Sequence, residues 1–147
     1  MGCDVRLLDA PFDAQREQAG FSADHALAGG IVSFLGQVRG DGAELLELRH
    51  YPPLTLPAMR ELADLCQARW QLAGLLILHR TGLMEPGDPI VLVAAAAPHR
   101  RQAFAATDYA MDHLKSESWF WKRERRGGTW HWIEPCADDY AAFQRWA

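Results

Sequence analysis

The sequence predicts an α+β fold in one domain spanning residues 1–147. Three observations carry this. Apolar runs of strand length lie at residues 31–38, 75–79 and 90–96, and apolar side chains recur at the helical period over 55–70 and 98–116. No repeat, low-complexity tract or long linker divides the chain. A chain of this length buries roughly 68 to 70% of its unfolded surface, so it folds without metal or disulfide staples.

Taken in order, Val5 to Leu8 reads as a short strand and residues 12–20 as a short helix or irregular segment. Ile31, Val32 and Val38 belong to a β-branched, apolar run that ends in glycines and is read as a buried strand. Asp41-Gly42 marks a turn, which makes 45–51 the return strand of a hairpin stopped by Pro52-Pro53. Thr55 is placed to cap a helix whose Leu56, Met59, Leu62, Ala63, Cys66 and Trp70 form one stripe. The runs at 75–79 and 90–96 read as core strands separated by Gly82 and the Glu85-Pro-Gly-Asp turn. Pro98 then opens a helix with Phe104, Thr107, Met111 and Leu114 on one face, ending near Ser116. Trp119/Trp121 and Trp130/Trp132, at period two around Gly127-Gly128, predict a hairpin, and 138–146 a last short helix.

Composition excludes several classes. With 49% hydrophobic residues and a net charge of −4 the chain is too apolar for disorder, and it has no 18-residue apolar run. The first residues lack the basic and apolar segments of a secretory signal, so a soluble, cytoplasmic protein is expected. Cys3, Cys66 and Cys136 are odd in number and widely spaced, which fits neither a disulfide framework nor a zinc knuckle. Cys66 reads as a core thiol and the other two as incidental. His50, His79, His113 and His131 show no metal-binding spacing, so no metal and no cofactor is expected.

Charge is distributed unevenly. Residues 99–126 hold seven Lys or Arg against four Asp or Glu, and of fifteen cationic side chains only Lys115 and Lys122 are lysines. Where Arg serves for solvation, a Lys can do what Arg cannot, namely lose its proton. Codon bias with chance clustering explains the same count equally well. Bringing an amine from about 10.4 to about 7.5 takes roughly 4 kcal/mol, which burial and cationic neighbours can supply. Arg39 follows the first long strand, and His99-Arg100-Arg101 open a helix whose free N–H groups favour anions. Phosphate or carboxylate is the natural guest, with Arg101 read as plain solvation. On residues alone three readings stand: a catalytic anion site, a noncatalytic module for a phosphorylated ligand or ubiquitin-like tail, and a single-strand nucleic-acid binder using Trp and Arg. The first requires Lys115, Arg39 and His99 to meet in one cleft, and the last requires exposed Trp on a basic face.

Phe34-Leu-Gly-Gln-Val-Arg39, His50-Tyr-Pro, Arg69-Trp70, His79-Arg-Thr-Gly82, Pro86-Gly-Asp88, His99-Arg100, Ala103-Phe104, Leu114-Lys115 and Trp121-Lys-Arg-Glu124 occur in an order and spacing that span nearly the whole chain. Together they resemble the catalytic (large) subunit of molybdopterin synthase, the MoaE family. The resemblance implies an α/β hammerhead fold, with a mixed or antiparallel sheet packed by helices. It also implies a sulfurtransferase reaction of molybdenum cofactor biosynthesis. Sulfur would pass from the C-terminal Gly-Gly thiocarboxylate of a small ubiquitin-like carrier subunit to cyclic pyranopterin monophosphate, forming the dithiolene of molybdopterin. It implies a homodimer of this subunit within a heterotetramer, with no nucleic acid and no membrane partner. Carried over position by position, Lys115 and Lys122 are the catalytic lysines. Gln37, Val38, Arg39, His99, Arg100, Arg123 and Glu124 bind substrate together with them. The sequence departs from the family in a short loop at 40–44 and in Arg49, where an acidic residue is common.

Overall fold

The computed structural model describes residues 2–116, 119–134 and 137–146. Its elements are β1 (Gly2–Leu8), α1 (Ala14–Asp24), β2 (Gly30–Gln37), β3 (Leu45–His50), α2 (Pro52–Trp70), β4 (Gly74–Arg80), β5 (Gly82–Met84), β6 (Pro89–Ala97), α3 (Arg100–Ser116), β7 (Phe120–Arg126), β8 (Thr129–Ile133) and α4 (Ala137–Gln144). The strands form two four-stranded sheets, in the orders β1-β4-β6-β2 and β5-β3-β7-β8. Only the β1–β4 pair is parallel, so the mixed sheet of the hammerhead is present in the first and an antiparallel sheet in the second.

The long apolar runs are explained by burial on both sides. Leu75 and Ile77 of β4, with Val93, Ala95 and Ala97 of β6, pack on Met59, Leu62 and Cys66 of α2 and Ala103, Ala106 and Ala110 of α3. Leu76, Leu78, Leu92, Ala94 and Ala96 point the other way, onto Phe21 of α1. Small side chains on α3 and β6 let that helix lie close to the sheet. A third cluster, Val38, Leu46, Leu48 and Met84, seals the second sheet against Ile90 and Phe120. Cys66 is fully buried, as read from its stripe, whereas Cys136 lies outside the described residues. Arg69, over Trp70, Tyr109 and Trp146 at 4.8, 5.3 and 5.5 Å from the ring centroids, pins α2 and α3 to the C-terminal segment.

Three local expectations are corrected. The strands β2 and β3 do not form a hairpin: β2 pairs with β6 in one sheet, and β3 with β5 and β7 in the other. Burial of Val38 at the junction forces the chain to leave one sheet before the turn at Asp41-Gly42. Helix α2 begins at Pro52, with Tyr51 as its N-cap residue, and the Thr55 hydroxyl donates back to the Tyr51 carbonyl at 3.0 Å inside the first turn. Proline at the first helical positions gives up an N–H that would be unpaired there anyway. The third correction is β5, a three-residue strand that periodicity cannot register. The β7–β8 hairpin forms as expected, with Gly127 and Gly128 at φ +56° and +78°, values that suit a two-residue turn matched to strand twist.

Candidate active site

Helix α3 starts beside Gly30, at the beginning of β2, and runs back along the sheet to end at Lys115. Three residues after the helix ends, the chain returns as β7, whose side chains alternate between faces. Phe120, Lys122 and Glu124 share the inner face opposite His50, Leu48 and Leu46 of β3. This brings the two lysines of the chain to one place. Lys115 remains accessible to solvent, yet enough protein surrounds it to hold its ammonium below the ordinary lysine range. Partial burial is the largest cause, followed by repulsion from Lys122; Asp139 of α4 opposes the effect and Arg39 adds to it.

Arg39 sits just beyond β2. Val38, buried in the third cluster, has its N–H bonded to the Asp88 carbonyl and its carbonyl to the Gly87 N–H, both at 2.9 Å. Gln37 pairs with Pro89 after a bulge at Gly36/Gln37. Val38 therefore anchors, and Arg39 and Gln37 are the exposed groups of the trio.

Two histidines line the same junction. His79, 7% exposed, stacks on Phe120 with ring centroids 4.0 Å apart and 13° between planes, and its Nδ1–H donates to the Arg80 carbonyl at 3.0 Å. That bond fixes a proton on Nδ1, so the neutral ring carries its lone pair on Nε2. Burial, partly offset by the Arg80 hydrogen bond and reinforced by Lys115 and His50, pushes His79 down to about 4. His50 lies opposite Phe120 and places Nδ1 3.2 Å from the Thr55 hydroxyl. Because that hydroxyl already donates to Tyr51, His50 is the donor.

An acid-stability prediction follows. Above pH 6.5 His79 is neutral in both folded and unfolded chains and contributes no slope. As pH falls from 6.5 toward 4 the unfolded imidazole takes up a proton that the buried ring refuses, and about 3 kcal/mol of stability is lost. His79→Phe, which keeps a stacked ring, should remove that loss. Urea midpoints between pH 7.5 and 4 check it, and equal acid slopes for the two chains would contradict it.

The remaining sequence-derived residues are placed elsewhere. His99 and Arg100 are exposed at the N-terminal end of α3, about 22 Å from Lys115 at 1.5 Å per residue. They line the other end of the molecule, beside an open groove of about 820 Å³ between α3 and the unpaired edge of β2, with Phe34, Phe104 and Met111. Within one chain, then, Lys115, Lys122 and Arg39 come together and His99 does not join them. Arg123 faces the opposite side of the sheet from Lys122. It bonds Glu47 at 2.7 Å, and its guanidinium lies 4.2 Å from the Trp130 centroid and 5.5 Å from that of Trp132. Glu124 faces inward, its carboxylate bonded to Arg126 at 2.8 Å.

Trp121 and Trp132 are exposed on the outer face with Arg49 and Arg123, so the aromatic surface asked of a nucleic-acid binder is present, although both arginines are paired with Glu47, which offsets one of their two charges. Sequence reasoning missed His79, His50, Phe120 and Asp139 as neighbours of the lysines. Period-two alternation in 119–126 is the one signal that could have put Phe120 beside Lys122.

Comparison with known proteins identifies the family. Residues 7–117 match the family model described as MoaE protein. A molybdopterin synthase catalytic subunit from Ralstonia nicotianae is 40% identical over 97% of this chain and 83% of its own length. The molybdopterin biosynthesis MoaE protein from Burkholderia ambifaria MC40-6 superposes with a TM-score of 0.83 at 36% identity, covering 99% of this chain and 98% of that one. A chain from the complex of subunits 1 and 2 of molybdopterin-converting factor from Helicobacter pylori 26695, at 15% identity and TM-score 0.77, covering 88% of this chain and 90% of that one, shares the fold. With the family model covering three quarters of the residues and a relative aligned nearly end to end, the chain belongs to the MoaE family.

Proposed function

We propose that this chain, acting as one domain over residues 1–147, is the catalytic subunit of a molybdopterin synthase. It moves sulfur from the C-terminal thiocarboxylate of a small ubiquitin-like carrier subunit to cyclic pyranopterin monophosphate, building the dithiolene of molybdopterin. The observation that carries the reading is the meeting of the chain's two lysines with Arg39 at the junction of the two sheets, where Lys115 is held below its ordinary range. An amine held below its ordinary range gives up its proton more readily than a free lysine, and the neighbouring cations suit an anionic pterin and an anionic thiocarboxylate. An extended carrier tail can use backbone hydrogen bonds to reach the amine. Sulfur arrives on the carrier, which accords with a chain whose Cys66 is buried and whose thiol is pushed up to about 12 by that burial.

Lys115 and Lys122 serve as the catalytic pair in this reading, and Gln37, Val38 and Arg39 form one wall. Arg123 contributes through its backbone, because its side chain is committed to the outer face. His99 and Arg100 reach a lysine site only from a second copy. The homodimer is thereby part of the site, and the open β2 edge beside Arg100 is where such a copy can pack. The cytoplasm is the compartment proposed. No helix among the described residues is long and apolar enough to cross a membrane.

Binding tests the reading directly. Arg39→Ala and Arg100→Ala should each weaken cyclic pyranopterin monophosphate by roughly 10- to 150-fold, since each removes a charge-assisted hydrogen bond of about 1.5 to 3 kcal/mol. Calorimetric titration of the carrier-bound protein reads the effect, and unchanged affinity in either variant removes that residue from the site.

A further inference from the structure

The loop that follows Arg39 is short, and it is tied down at several points. Before Arg39, Val38 is fixed to the 85–88 turn through both backbone groups. After it, Arg126 donates from Nη1 to the Asp41 carbonyl at 3.2 Å and from Nη2 to Asp41 Oδ1 at 2.9 Å. The same Nη2 bonds Glu124 Oε2 at 2.8 Å. Gly42 makes the turn possible with φ +102°, and a Cβ there would lie 3.4 Å from Arg126 Nη1. The chain is then stitched to the hairpin: the Glu44 N–H donates to the Arg125 carbonyl at 2.8 Å, and Glu44 Oε1 accepts from the Gly128 N–H at 3.0 Å.

Arg126 lies at the end of β7, on the face that carries Lys122 and Glu124. One guanidinium thus bridges the Arg39 loop and the Lys122 strand. A planar fork with several donors can hold a carbonyl and two carboxylates together, which an ammonium does less well. With Arg126 42% exposed and its partners 40% and 21% exposed, such pairs add little to overall stability, so their consequence is geometric. The bridge also engages the Glu124 carboxylate, the acidic side chain that shares a strand face with Lys122.

We propose that Arg126 is a positioning residue for the anion site, fastening the loop that carries Arg39 to the strand that carries Lys122 so that both cations face the substrate at a fixed separation. The inference rests on the reading of Arg39 as an anion contact. Arg126 acts through the loop, with three of its five N–H donors engaged by Asp41 and Glu124.

The test is a double-mutant cycle on cyclic pyranopterin monophosphate affinity, with amide exchange of residues 40–44 measured alongside. Arg126→Ala should weaken binding by about 3- to 10-fold and speed exchange in the loop, while Arg126→Lys recovers part of both. In the Arg39→Ala background, Arg126→Ala should change affinity no further, because the latch acts through Arg39. Wild-type affinity in Arg126→Ala, or equal losses with and without Arg39, would overturn the latch. Wild-type affinity in Arg39→Ala would instead overturn the anion-contact reading on which it rests, so the two failures are distinguishable.

Discussion

Lys115→Arg is expected to stop sulfur transfer while leaving folding and most ligand binding in place. The guanidinium keeps the positive charge beside Lys122 and Arg39, so the anion site retains its sign. What it cannot keep is the proton exchange that a depressed amine permits, because guanidinium stays protonated at any working pH. A proton-transfer or nucleophilic role at one residue is worth at least about 100-fold in rate. Single-turnover transfer from thiocarboxylated carrier should fall by that factor or more, with an unchanged circular dichroism spectrum. Lys122→Arg should cost less, since Lys122 is needed mainly for its charge. A Lys115→Arg protein with wild-type rates would reduce Lys115 to an electrostatic contact.

Mixing two inactive variants should restore activity. Assayed at substrate concentrations well below the weakened dissociation constant, Lys115→Ala and Arg100→Ala each disable every site of their own homodimers. If Arg100 reaches Lys115 only across the interface, a mixed dimer contains one site with both defects and one with neither. Random reassortment makes half of the dimers mixed, so about a quarter of wild-type activity returns. The 22 Å helix length between the two residues is the reason to expect this. Reassorted mixtures that stay inactive would mean that Arg100 acts within its own chain or not at all.

Periodicity made much of this fold legible. The stripes of α2 and α3 and the apolar runs of β4 and β6 were readable because each buries a regular face. The pairing of β2 and β3 was not, since a turn signal at Asp41-Gly42 says nothing about which sheet each strand joins, and burial of Val38 decides that. At the site, the singular use of lysine at 115 and 122 pointed to the residues that the fold brings together. Linear motifs grouped Lys122, Arg123 and Glu124, but the pleat sends Arg123 to the other face and an ion pair takes up Glu124. His99 and Arg100 do not join the lysines within one chain because the length of α3 separates them, and the proposed dimer is what would bring the two ends together. His79 was not placed beside the lysines because its position depends on stacking against Phe120, which lies 41 residues away and in the other sheet.

The most direct test follows the sulfur. Carrier bearing an isotopically labelled thiocarboxylate is mixed with cyclic pyranopterin monophosphate, with and without this chain, and the label is traced by mass spectrometry. The account predicts that label leaves the carrier and appears in the dithiolene of molybdopterin only when the chain is present, with none retained on the chain. Label that stays on the carrier in the presence of the folded chain, or that reaches the pterin equally well without it, would contradict the account.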